Sequence, residues 1–169
     1  EAALGFPAWS PDGTRIYGAS GDGKLGEWDA ATGALVSQSQ ISGSVYSIAW
    51  SPDGKRAVTG GLAEFNPMMR IVDMATGEIL NTLAVNITAP YTLDWSADGK
   101  RIVSSHMEGN VHIWDAETGD LLHTFTVDEG FIVFVAWSPD STRVASAGTD
   151  KTLNIWNTET YKHQVTFEG

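Results

Sequence analysis

Four copies of one hexapeptide punctuate this chain: AWSPDG at 8–13, AWSPDG at 49–54, DWSADG at 94–99 and AWSPDS at 136–141. Their tryptophans, Trp9, Trp50, Trp95 and Trp137, stand 41, 45 and 42 residues apart. A second marker follows each first one: EWDAATG at 27–33, IVDMATG at 71–77, IWDAETG at 113–119 and the divergent IWNTETY at 155–161, with Trp28, Val72, Trp114 and Trp156 at its key position. A period of this length means stacked units, none of which can bury its own apolar face alone. The units run 1–43, 44–86, 87–129 and 130–169. First and second markers lie 19 residues apart in units one, three and four but 22 apart in unit two. Unit two therefore carries three extra residues between Thr59 and Arg70, read as an insertion in a loop at about 61–69.

Each unit reads as four short strands, a to d. In the third they cover 91–96, 101–105, 111–115 and 121–126, separated by an Asp98-Gly99 turn, a Gly109-Asn110 turn and a Thr118-Gly119 turn. Asp-Gly recurs because a tight hairpin needs a positive φ, which glycine adopts without steric cost. No segment shows helical periodicity, so the fold class is all-β.

A period of 40 to 45 residues, four strands per unit and a Trp-Asp pair together resemble the WD40 family, over essentially the whole chain. The resemblance implies a β-propeller of four-stranded antiparallel blades, four blades per chain, that binds proteins or peptides. It also implies a hydrogen-bond network in which the strand-c tryptophan meets a Ser or Thr, a turn Asp and the His of a Gly-His pair. Matching residues are Ser146, Asp150 and Trp156 in unit four, Ser104, Glu108 and Trp114 in unit three, and Asp22 and Trp28 in unit one. The Gly-His histidine is absent from every unit, so the blades are expected to rest more on sheet packing than on a buried polar cluster. Trp9, Trp50, Trp95 and Trp137 read as structural. The residue two before each (Pro7, Ile48, Leu93, Val135) shares its strand face, which is expected to pack between blades.

Ten Lys and Arg against 21 Asp and Glu give a net charge of −11. This excludes a general nucleic-acid or anionic-membrane binder, because phosphates must be met by clustered cations. An aspartate follows each first tryptophan by three residues (Asp12, Asp53, Asp98, Asp140) and an arginine by six (Arg15, Arg56, Arg101, Arg143). Each Arg is expected to pair with the Asp of its own hairpin, the other reading being a carboxylate-binding ring. With no cysteine there is no disulfide framework, thiolate zinc site or thiol nucleophile. No stretch approaches the roughly 20 apolar residues of a spanning helix, and a cytoplasmic location is expected.

Chemical motifs are sparse. Residues 21–26, GDGKLG, match G-x-G-x-x-G literally, but a strand and not a helix is expected to follow. His106 and His112 could hold a metal if Glu108 faced the same way; the simpler reading makes them ordinary strand residues. There is no G-x-S-x-G elbow, H-E-x-x-H or EF-hand loop, and Asn86-Ile87-Thr88 is taken as a chance sequon. No catalytic residue, cofactor or metal is expected, and the chain is read as no enzyme.

In WD40 proteins the d-a and b-c loops share the face most used for peptides. Candidate partner-binding residues there are Tyr46, Phe65, Met68, Met69, Tyr91, His106, Met107 and Phe131, aromatic anchors and adaptable methionines being enriched at interfaces. Phe65, Met68 and Met69 could instead fold back to seal the insertion. Four blades cover half of an eight-bladed circle at about 45° each and leave two sheet faces open. Closure by a second copy is favoured, over further blades on a longer chain or a strained four-bladed ring. The alternative function is a regulatory or sensory propeller domain of a larger multidomain enzyme or signalling protein. Unit four, with Ser141, Asn157 and Tyr161 replacing Gly, Asp and Gly, has the divergence typical of a terminal repeat.

Overall fold

The first marker builds a stapled hairpin. Ser51 Oγ accepts the Arg56 N–H (2.9 Å) and donates to Asp53 (2.6 Å), whose carboxylate accepts the Lys55 N–H (3.0 Å). The same serine-to-arginine bond recurs at Ser10, Ser96 and Ser138. In the second marker the Asp or Asn after the key position accepts the N–H groups two and three residues on, closing the c-d turn at Asp29, Asp73, Asp115 and Asn157. The repeated aspartates are turn formers.

A computed structural model describes residues 7–40, 43–64, 66–85, 88–127 and 130–169. Its strands form four antiparallel sheets of four, each in chain order. Sheet 1 holds β1 (Ala8–Trp9), β2 (Arg15–Ala19), β3 (Lys24–Asp29) and β4 (Leu35–Gln40). Sheet 2 holds β5 (Ser44–Trp50), β6 (Arg56–Ala63), β7 (Asn66–Asp73) and β8 (Ile79–Leu83). Sheet 3 holds β9 (Pro90–Trp95), β10 (Arg101–His106), β11 (Asn110–Asp115) and β12 (Leu121–Thr126). Sheet 4 holds β13 (Ile132–Trp137), β14 (Arg143–Gly148), β15 (Thr152–Asn157) and β16 (Lys162–Glu168). This is the all-β, four-bladed WD40-like architecture read from the repeats.

Register decides which face each residue takes. Ile102 pairs with Trp95 on one side and Trp114 on the other, and these three join Leu93 on the face packed against Val58, Met69, Ile71 and Leu83 of sheet 2. One residue along, Val103 pairs with Ile113 on the opposite face, packed with Val111 and Phe125 against Val135, Val144 and Trp156 of sheet 4. Sheets 1 and 2 meet through Tyr17, Ala19 and Leu25 against Val45, Ile48, Ala57 and Met68. Each first marker therefore faces the preceding sheet, together with the residue two before it. Among the described residues no sheet stacks on the Trp9 face of sheet 1, and Trp9 is 60% exposed. Among the described residues no sheet stacks on the outer face of sheet 4 either, and Phe134, Leu153, Val165 and Phe167 are exposed.

One expectation is corrected. The extra residues of unit two do not form a loop; they lengthen the β6-β7 hairpin, with Gly61 opposite Met68, Leu62 opposite Pro67 and Ala63 opposite Asn66. A side chain at Gly61 would strike the Ser44 carbonyl, so this glycine serves close strand approach and not a turn.

Candidate functional site

The b-c turns and the segments entering strand a lie together at one end of the sheets. Ser44 Oγ donates to the Gly21 carbonyl (2.6 Å), and a cleft of about 350 Å³ lies among Asp22, Ser44, Tyr46, Leu62 and Glu64. Tyr46 sits at a bulge between Val45 and Ser47, and Tyr91 stands at the same place in sheet 3, four residues before its tryptophan. Met107 lies in the β10-β11 turn and Phe131 in the segment leading to β13, tied to the next turn by the Thr149 N–H donating to its carbonyl (2.9 Å). Tyr46, Tyr91, Met107 and Phe131 are all exposed. The other candidates divide differently. Met68 and Met69 are buried on opposite faces of β7, one against sheet 1 and the other against sheet 3, because the extended ladder alternates them into both cores. His106 is also buried. All three therefore lie in the interior and not on the partner face: for Met68 and Met69 this is the fold-back alternative, for His106 a correction, and Phe65 lies outside the described residues.

His106 completes the network for which no upstream histidine was found. Trp114 Nε1–H donates to Ser104 Oγ (2.8 Å), Ser104 Oγ bonds His106 Nε2 (2.8 Å), and His106 Nδ1 lies 3.0 Å from the Thr88 carbonyl. A carbonyl only accepts, so the proton sits on Nδ1. Burial holds His106 below the usual imidazole pKa, leaving Nε2 neutral to accept from the serine. The Thr88 hydroxyl also donates to Glu108. The missed signal was a histidine two residues beyond the strand-b serine, on the same strand face.

His106, Glu108 and His112 bring ligand-capable atoms within 4.8 Å of one another, beside a cavity of about 160 Å³. Both His106 nitrogens are already engaged, and His112 Nδ1 bonds Thr124 Oγ1 (3.0 Å), so a cation would have to displace a protein partner of His106. Burial, and then the neighbouring His106, lowers the His112 pKa to about 4.

The remaining marked residues are structural in varied ways. Trp156 Nε1–H donates to Ser146 (2.9 Å), but Gly148 occupies the place of His106, and Asp150 instead binds Thr152. In sheet 1 Gly18 replaces the serine, and Trp28 folds over Gly26, where any side chain would collide with its ring. Asp22 pairs with Ser20 and Lys24, the serine hydroxyl lowering its pKa first. Trp50, Trp95 and Trp137 keep buried indole N–H groups with no hydrogen-bond partner among the described residues. The literal G-x-G-x-x-G runs from a turn into β3, so no helix N-terminus is present to hold a pyrophosphate.

Arg101 and Arg143 keep the expected ion pair with the aspartate of their own hairpin, while Arg15 and Arg56 pair elsewhere. Arg56 lies over the Trp95 ring of the next sheet (5.3 Å to the centroid) and pairs with Glu117 there (3.3 Å). Arg101 lies over Trp137 of sheet 4 (4.7 Å) and donates to the Ser141 carbonyl (2.7 Å). The hairpin Asp partners of Arg101 and Arg143 stand at 3.8 Å, while Arg15 pairs with Glu27 (3.2 Å) and Asp29 (2.9 Å). Asp94 adds another link between sheets, accepting the backbone N–H groups of Trp95 and Trp137 (2.8 and 2.6 Å), with burial raising its pKa.

Similarity to known proteins lies in the same repeats. The family profile described as WD domain, G-beta repeat, matches residues 35–63, and that of the anaphase-promoting complex subunit 4 WD40 domain matches residues 85–140. WD repeat-containing protein 1 of Bos taurus is 32% identical over 81 residues, which are 46% of this chain and 13% of that protein. Both profiles and this relative are of WD40 repeats, and the chain is similar to that family over these segments. WD40 repeats serve in general as protein-interaction scaffolds and are generally not catalytic. No helix among the described residues is long and apolar enough to cross a membrane.

Proposed function

We propose that this chain is a non-catalytic scaffold for proteins or peptides, and that it acts as half of an eight-bladed ring closed by a second copy. The observation that carries the reading is the pair of unlike open faces: sheet 1 presents the tryptophan side of a joint and sheet 4 the Phe/Leu/Ile side. These are the two halves that meet wherever one sheet succeeds another. Apolar sheet faces of this kind are a liability unless covered. Absolute mass by light scattering, over a dilution series, tests the closure. A persistent dimer supports it, and a monomer at every concentration refutes it.

The partner face is the end carrying Tyr46, Tyr91, Met107 and Phe131. Asp22 and Glu64 beside Tyr46 and the net charge of −11 favour a basic peptide. Titrating a library of basic peptides against the wild type and Tyr46→Ala checks this. The expected result is weaker binding by the variant with an unchanged melting temperature.

A further inference from the structure

The a-b hairpin arginines of sheets 2 and 3 point onward, not inward. They cap the first-marker tryptophan of the following sheet: Arg56 over Trp95 and Arg101 over Trp137. The joint between sheets 1 and 2 departs from this for a visible reason. Glu27 stands opposite Tyr17, where the other sheets have Ile71, Ile113 and Ile155, and its carboxylate draws Arg15 back with Asp29. Tyr17 packs on Trp50 instead, with ring centroids 4.6 Å apart.

Sheet 4 has the arginine without the diversion. Opposite Arg143 is Asn157 where Arg15 meets Asp29, and Ile155 fills the place of Glu27. Its contact with Asp140 is 3.8 Å, the distance that Arg101 keeps to Asp98 while also capping Trp137. The Arg143 side chain is nevertheless 51% exposed against 19% for Arg101. At the other end Trp9 is exposed. Gly13, four residues on, shares the left-handed backbone of Ser141 (φ 71° and 59°), the residue whose carbonyl receives Arg101 at the inner joint.

We propose that Arg143 of one copy closes over Trp9 of a second copy, repeating between chains the cation–π clamp that joins sheets 3 and 4. The clamp rests on the proposed ring closure and adds to it a defined contact, present twice in a two-fold ring.

The test is the dimer dissociation constant, from light scattering across a dilution series, for wild type, Arg143→Ala, Trp9→Ala and the double variant, each first shown to be folded by circular dichroism. Losing two clamps weakens the dimer about 30-fold in Arg143→Ala. Arg143→Lys retains part of the affinity, because an ammonium caps an indole less well than a guanidinium. In the Trp9→Ala background the arginine substitution has no further effect, the signature of a pair acting as one. A dimer that Arg143→Ala weakens less than about threefold, or additive effects of the two substitutions, overturns the clamp and leaves ring closure standing. A wild-type chain that is monomeric throughout overturns both.

Discussion

The onward faces of sheets 3 and 4 are built from the same places in the same ladder, yet they have opposite fates. Val103, Val111, Ile113 and Phe125 in sheet 3 correspond by register to Ala145, Leu153, Ile155 and Phe167 in sheet 4. Phe125 is 3% exposed and stacks on Trp156 (4.8 Å), whereas Phe167 is 56% exposed. Burial here is a property of having a neighbour and not of the strand itself. One repeat is thus core or surface according to whether another sheet is stacked on it.

Truncating the two phenylalanines should separate these cases most strongly. Phe125→Ala is expected to cost about 3–5 kcal/mol in denaturant unfolding at any protein concentration. Phe167→Ala should cost less than about 0.5 kcal/mol at dilutions where the chain is monomeric, rising toward the Phe125 value once a partner covers the face. Equal costs at all concentrations would break the comparison.

The polar clusters give a smaller contrast. Ser104→Ala strands the Trp114 N–H and the His106 ring together and is expected to cost about 2–3 kcal/mol. Ser146→Ala strands one buried donor of Trp156, with an expected cost of about 1 kcal/mol. Thermal melts of the two variants at neutral pH check the order.

Acidification should report the histidines. The folded pKa of His112, about 4, lies below its ordinary value, so the unfolded chain takes up a proton that the folded chain refuses. The resulting stability is complete above pH 6.5 and is lost as pH falls from there toward 4. His106 acts in the same direction. Melting temperature against pH should fall less steeply through this window in His112→Gln than in wild type. The smallest effect belongs to the exposed hairpin carboxylates. Asp140 is held at about pKa 2, first by the Ser138 hydroxyl and then by the Thr142 N–H. Its contribution is present above about pH 3.8 and fades as pH falls to 2. Asp140→Asn should therefore melt slightly lower at pH 7 and match wild type at pH 2.

Much of the fold was legible in the sequence because turn chemistry and strand period point the same way. The Ser-x-Asp turns and the two tryptophan markers specify four hairpin-linked strands per unit, and strand alternation assigns Ile48, Leu93 and Val135 to the tryptophan face. The extension of unit two was not legible. Residues 61–69 read as a loop from the added length alone, while the tertiary ladder uses the missing side chain of Gly61 to let strands approach, and so Met68 and Met69 become core. Nor could spacing reveal that Arg56 and Arg101 reach past their own hairpins, since the competing partners lie on another sheet. Glu27, one residue in β3, diverts Arg15 from that pattern.

The onward-pointing arginines also give the stack a polarity. At the joints between sheets 2 and 3 and between sheets 3 and 4 one side gives the arginine and the other receives it, so the proposed closure sets sheet 4 of one copy against sheet 1 of the next. A contact of this head-to-tail kind has no self-limiting symmetry of its own: it ends when the accumulated rotation returns to the first sheet, and otherwise continues as a helical fibre. The angle between neighbouring sheets, more than the strength of any contact, therefore sets whether association yields a finite ring or a polymer.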